Sequence, residues 1–271
     1  MLGVAEQDAA LAEELAERAG DLLLRVRASA RQGETADVRS ERFLVAELGR
    51  CRPSDAVLSE ESPDDPVRLA SRRVWILDPL DGTREYGEAG RTDWAVHVAL
   101  WEDGRLAAGA VALPALGSVR STRDPGPRTL RTGIRRVAVS RTRPPSWAAP
   151  VADALGAELV GMGSAGAKVD AVLRGDVDAY LHDGGQYEWD SAAPVALARA
   201  AGLHASRVDG SPLRYNQPDP SFVGVSRRAS EHRRWRHGAL GGRSAGSKTR
   251  GDVAPVPGSG QWPLPGGCST G

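Results

Sequence analysis

Two cysteines, two phenylalanines and two methionines are all that 271 residues contain of those types. So few cysteines exclude a disulfide-built scaffold, and Cys51 and Cys268 read as thiols of a reducing compartment. Aromatic residues make up only 5%, so aliphatic side chains must fill the core. No apolar run reaches the ~18–20 residues a membrane span needs, and no basic-then-apolar leader opens the chain. A soluble cytoplasmic protein without a membrane partner is expected. Net charge is missing too, because 35 basic residues balance 35 acidic ones. That balance hides an asymmetry. Residues 226–271 hold eight Lys/Arg against two Asp/Glu, which leaves 27 against 33 upstream, a net of −6. An acidic body that handles anions needs cations, and a bound metal is one source.

What is present is patterned. Leu11, Leu15, Leu22, Leu23 and Val26 recur at helical spacing and predict a helix over 5–28. A second helix is expected from Asp37 as N-cap, carrying Phe43, Leu44 and Leu48 inward. Strands are expected at 56–58, 74–77, 94–101 and 105–113, with Trp94, Val96, Val98 and Leu100 on one face and His97 on the other. The second half alternates strands at 136–140, 158–162, 177–181 and 203–206 with helices at 146–155, 165–174 and 190–201. That is a βα pattern. Residues 120–135 read as a link between an α+β half, 1–120, and an α/β half, 136–225. From 226 the chain is rich in Gly, Pro, Ser and Arg without a period, which predicts a disordered or frame-shifted end.

Acidic residues punctuate this pattern in four places: Asp37, the Glu60-Glu61 pair, Asp78 with Asp81, and Asp190. Singly, each suits a cap or a turn. Together they suggest more, because "VLSEE" and "WILDPLDGT" both bring carboxylates to the end of a short apolar strand. Carboxylates gathered at one edge stay ionised only if a cation joins them. With no Cys or paired His nearby, oxygen ligands favour Mg²⁺ over zinc. Gly82 and Thr83 can then open a helix whose amides hold an anion.

"SEE", "WILDPLDGTREY" and "EWDSAAP", in this order, resemble the inositol monophosphatase superfamily of metal-dependent phosphatases. "GSAGAK", "GGQ" ahead of "EWDSAAP", and "DGSPLRYNQ" bring the likeness nearer to its CysQ-type 3'(2'),5'-bisphosphate nucleotidases of actinobacterial type. The resemblance spans 5–220 and implies an αβαβα layered sandwich of α/β (α+β) class, with residues 1–225 as the phosphatase domain. It implies two or three Mg²⁺ ions held by Glu60, Asp78, Asp81, Asp190 and the Leu80 carbonyl. It gives Asp37 and Thr83 to the attacking water, and Gly82 and Thr83 to the phosphate. Gly163, Ser164 and Lys168 match the substrate-side loop, Glu188 borders it, and a homodimer is usual for the family. Arg214 is added as a phosphate contact because its planar fork suits that group.

The activity so implied is removal of the 3'-phosphate of adenosine 3',5'-bisphosphate, or of its sulfated analogue, in sulfur assimilation. The alternatives are an inositol-1-phosphate or fructose-1,6-bisphosphate phosphatase, and an inactive anion- or nucleic-acid-binding protein with a basic tail. "GMGSAG" also fits the dinucleotide fingerprint, but the acidic residue expected about 20 positions on is missing at that spacing. His97, His182 and His204 show no ligand-type spacing and read as structural, as do Tyr180 and Trp189.

Overall fold

The apolar run from Val74 to Leu77 forms the middle of a strand because both of its faces are covered. The structure, a computed structural model, describes residues 4–29, 35–126 and 133–222. The basic segment 226–271 lies outside them. Helices α1 (Val4–Ala28) and α2 (Ala36–Cys51) precede strand β1 (Ala56–Ser59) and strand β2 (Arg73–Asp81). A short helix α3 (Thr83–Gly87) leads into β3 (Ala95–Glu102), β4 (Arg105–Leu113) and β5 (Ser118–Ser121). These strands make one sheet in the order β1-β2-β3-β4-β5, with β1 parallel to β2 and the rest antiparallel.

Trp75 and Leu77 of β2 and Val96, Val98 and Leu100 of β3 point to one face and pack under Leu15, Leu23, Leu44 and Leu48 of α1 and α2. The alternate residues Val74, Ile76, Ala95 and Ala99 face the other side, against α5 (Ala165–Arg174) and α6 (Glu188–Ala200). A sheet buried on both faces needs apolar residues at successive positions, as β2 and β3 have. Beyond α5 lies a second sheet, β7 (Glu158–Met162), β6 (Arg136–Ser140) and β8 (Ala179–Tyr180), parallel throughout. Ala138 of β6 packs on Ala171 of α5, while Val137 and Val139 face Ala148 of α4 (Ala148–Leu155). The layers therefore run α1/α2, sheet, α5/α6, sheet, α4. This is the expected αβαβα sandwich.

Three local expectations need correcting. Thr35, not Asp37, occupies the N-cap of α2, and Asp37 sits in its first turn. Residues 203–206 form no strand; Leu203 N closes on Ala198 O and Arg207 N on Ser211 O, so the segment folds back on itself. Its apolar residues Leu203 and Ala205 still pack on the core, which accounts for the misleading pattern. Ser118–Ser121, partly assigned to the link, is strand β5, recruited by the exposed edge of β4. A two-residue antiparallel ladder also joins β9 (Gln186–Tyr187) to β10 (Ser221–Phe222), the start of the apolar "SFVGV" segment.

Candidate active site

β2 does not stop at Leu77. It runs on through Pro79 to Asp81, and its register against β3 slips between Asp78 and Asp81. Proline is tolerated at such an irregularity because no ladder donor is lost there. Ser40 Oγ donates to Pro79 O at 2.9 Å and Leu80 N donates to Asp78 Oδ1 at 3.1 Å, which fixes the bend. Gly82 follows at φ +87°, a left-handed conformation that favours glycine, and α3 begins at Thr83.

Four carboxyl groups from three stretches of chain, two of them on β2, come together at this bend. Asp78 is 1% exposed, and burial first, then Asp81, Asp190 and Glu60, raises its carboxyl well above the ordinary range. Burial likewise pushes Asp190 to about 7, with Asp81 the next cause. Glu60 is exposed as a residue, yet desolvation of its carboxyl, then Glu61, Asp81 and Asp37, drives it to about 7. The proximity of Asp78 works weakly the other way, lowering the Glu60 pKa. Such mutual elevation marks a negative site that attracts a counter-ion. The buried, oxygen-rich donor set fits a hard divalent cation.

Two further residues stand beside these carboxylates: Glu41, which sequence reasoning missed, and His97, which it read as structural. Glu41, buried on α2, accepts hydrogen bonds from Ser59 and Ser62, the serines that bracket Glu60 and Glu61. His97 pairs across the sheet with Asp78. Its Nδ1 lies 3.3 Å from Trp189 O, and its Nε2 comes within 3.3 Å of Asp81 Oδ2 without a hydrogen bond. Asp78, Asp81 and His97 place their ligand-type atoms within 4.8 Å of one another. Burial lowers the His97 pKa, against the opposing pull of Asp81. A signal for His97 does exist, since an antiparallel β2–β3 hairpin sets it opposite Asp78. Glu41 is legible as the polar residue on the inward face of α2.

The "GSAGAK" loop docks on the same bend. Asp81 Oδ2 accepts from Ala165 N at 2.6 Å and Gly166 N at 3.4 Å, at the start of α5. Gly166 is required there, because a Cβ would lie 2.4 Å from His97 Nε2 and 2.7 Å from Val111 Cγ1. Gly163 N donates to Asp93 Oδ2 at 2.7 Å and Ser164 N to Asp93 O at 3.0 Å. Ser164 Oγ caps α5 through Ala167 N. Lys168 is 3% exposed, and its ammonium bonds to the Gly163 and Ser164 carbonyls. Burial lowers its pKa against the pull of Asp81 and other carboxylates. Ser164 and Lys168 thus brace the loop with groups expected to face substrate.

The remaining expected residues divide. Thr83 is exposed at the α3 start, with its hydroxyl donating to Leu80 O at 3.3 Å rather than to Asp37. Asp37 Oδ1 accepts from Val38 N and sits close enough to raise the Glu60 pKa. Glu188 is buried, and its carboxylate accepts from Asn216 N at 2.6 Å and Gln217 N at 2.8 Å. Arg214 is exposed and lines, with Glu188, Arg207 and Gln217, an open cavity of about 370 Å³.

The inositol monophosphatase family model matches residues 4–237. The chain belongs to the inositol monophosphatase family. It is 53% identical over 232 residues to the 3'-phosphoadenosine 5'-phosphate phosphatase of Mycobacterium leprae, covering 79% of this chain and 86% of that one. It is 28% identical over 240 residues to the 3'(2'),5'-bisphosphate nucleotidase CysQ of Escherichia coli, covering 80% and 97%. The structure of CysQ from Bacteroides thetaiotaomicron superposes with a TM-score of 0.68 at 25% identity, covering 80% of this chain and 95% of that one. Family enzymes use metal ions, and this member's acidic cluster lies at the bend that follows Leu77. No helix among the described residues is long and apolar enough to cross a membrane.

Proposed function

We propose that this family member is a Mg²⁺-dependent phosphomonoesterase that removes the 3'-phosphate of adenosine 3',5'-bisphosphate, giving AMP and phosphate. The observation that carries this reading is Asp78, buried at the β2 bend with Glu60, Asp81 and Asp190 raising its pKa, beside the first turn of a helix. The choice of substrate is supported by the 53% identical relative, most of whose length the chain covers.

Glu60, Asp78, Asp81, Asp190 and the Leu80 carbonyl would hold two or three Mg²⁺ ions. Bound there, they would neutralise phosphoryl oxygens and lower the pKa of water. The chain's own residues supply the rest. The first amides of α3, at Thr83 and after it, have no partner within the helix and would receive phosphate oxygens. The Thr83 hydroxyl, exposed at that turn, would orient the attacking water with Asp37. Burial of Asp78 keeps bulk water from screening the carboxylates. Positioning and charge neutralisation suffice for this reaction, and no covalent enzyme intermediate is needed. Gly163, Ser164 and Lys168 act by bracing the loop that caps Asp81, and residues 1–225 form the phosphatase domain.

Phosphate release tests this. Adenosine 3',5'-bisphosphate, its sulfated analogue, inositol 1-phosphate and fructose 1,6-bisphosphate are offered at matched concentrations with Mg²⁺. The nucleotide bisphosphate is expected to react fastest, and Asp78→Asn to react with none. Faster release from a sugar phosphate would reassign the substrate.

A further inference from the structure

Tyr187 and Trp189 stack face to face, with centroids 4.6 Å apart and planes 4° from parallel. Trp189 belongs to the core side of α6, packed against the sheet, and its carbonyl meets His97. Tyr187 is 46% exposed, unusual for a large aromatic in a chain that has few. Parallel stacking places Trp189 over one ring face of Tyr187 and leaves the opposite face without a ring partner. The backbone N of Tyr187 donates to Asp190 Oδ2 at 2.6 Å, which places this residue directly beside the acidic cluster. The ladder with Ser221 and the hydrogen bond to Asp190 fix the Tyr187 backbone from both sides, so the platform is held rigidly.

A rigid, half-exposed aromatic face that core packing does not use suits a flat π-system. We infer that the outer face of Tyr187 is a base subsite, on which a purine stacks while the phosphate ester of the same nucleotide lies at the carboxylate cluster. This rests on the proposed nucleotide substrate and adds what selects it over sugar phosphates. A sugar ring has no π-face and meets the platform only through its C–H groups, a smaller contact than a stacked purine makes. Trp189, held from behind, keeps the Tyr187 ring from turning away. Tyr187 is then a specificity-determining residue, whereas the phosphate itself is held by groups every family substrate would share.

The experiment compares wild type, Tyr187→Ala and Tyr187→Phe in Mg²⁺. The KM for adenosine 3',5'-bisphosphate and the calorimetric Kd values of AMP and ribose 5-phosphate are measured. Tyr187→Ala is expected to raise the KM and the AMP Kd about tenfold, the scale of one base–aromatic stack. The Kd of ribose 5-phosphate should change several-fold less, and Tyr187→Phe should restore nucleotide binding to within about twofold of wild type. Equal effects on AMP and ribose 5-phosphate, no effect on either, or absence of AMP binding to wild type would overturn the subsite. Should wild type bind AMP through Tyr187 yet release no phosphate from the bisphosphate, the subsite stands and the proposed reaction falls.

Discussion

The Arg68 guanidinium donates to Asn216 Oδ1 at 2.8 Å, joining positions 148 residues apart in the chain. Arg68 is fully buried, also holds Asp64 with two nitrogens, and donates to Gln217 O. Asn216, at φ +57°, returns a hydrogen bond to Arg68 O. The Asn216 and Gln217 amides in turn bind Glu188, which opens α6 two residues before Asp190. One buried cation therefore ties the segment after Glu60 to the helix that carries Asp190.

Loss of that cation should be costly. Arg68→Ala leaves several buried groups unpaired and is expected to destabilise the fold by about 2–4 kcal/mol. Arg68→Lys should recover only part of this, since an ammonium cannot reproduce the planar fork. Urea unfolding midpoints check both. A wild-type midpoint for Arg68→Ala would show that the link carries no stability.

Asp78→Asn should move two properties in opposite directions. Asn cannot ionise, so at a pH high enough to ionise Asp78 the chelated variant escapes the repulsion of the cluster and should melt above chelated wild type. The same change removes a ligand, so added Mg²⁺ should no longer raise its melting temperature, and turnover should vanish. Melting curves with and without Mg²⁺ read both effects. A variant that gains as much from Mg²⁺ as wild type would contradict the ligand role.

Much of this cluster is legible in the order of residues alone. Asp78 and Asp81 follow an apolar strand, Glu60 follows another, and strand ends deliver side chains to one edge. What the pattern does not give is distance across the sheet. His97 looks isolated along the chain because its neighbours Asp78 and Asp81 lie on another strand, brought there by the β2–β3 pairing. The "GSAGAK" motif marks Ser164 and Lys168 as site residues, but not that their polar groups turn inward onto their own loop. That depends on the close dock of α5 against Asp81, a contact no spacing rule encodes. Leu203 and Ala205 mislead for the opposite reason, since burial without a partner strand leaves the same alternation.

Stability of the metal-free protein should depend on pH with a defined sign. Glu60 and Asp190 titrate near 7 in the folded chain, raised by burial, against about 4 when unfolded. Between those values the folded state keeps protons that the unfolded state has released, so this contribution is lost as pH rises. His182, lowered to about 4 by burial and then Lys168, acts oppositely, and its contribution is lost as pH falls below about 6.5. Mg²⁺ competes only with the carboxyl protons. The Mg²⁺-induced rise in Tm should therefore grow between about pH 5.5 and about pH 8. Differential scanning fluorimetry across that range checks it, and a rise independent of pH would contradict it.

Gly166→Ala probes the dock between the halves. Its Cβ would press on His97 Nε2 and Val111 Cγ1, neither of which has room to move. A loss of about 1–3 kcal/mol in urea unfolding is expected, the usual scale of overpacking, together with weaker Mg²⁺ binding as α5 lifts from Asp81. Unchanged values for both would mean that α5 can shift without disturbing the cluster.

Calorimetric titration of Mg²⁺ into chelated protein tests the metal site most directly, using wild type, Asp81→Asn, Asp190→Asn and the surface control Asp103→Asn. Saturable binding is predicted for wild type and the control, weakened at least about tenfold in each cluster variant, as loss of a charged ligand implies. No saturable binding to wild type, or equal affinity in all four proteins, would contradict a metal held by these carboxylates.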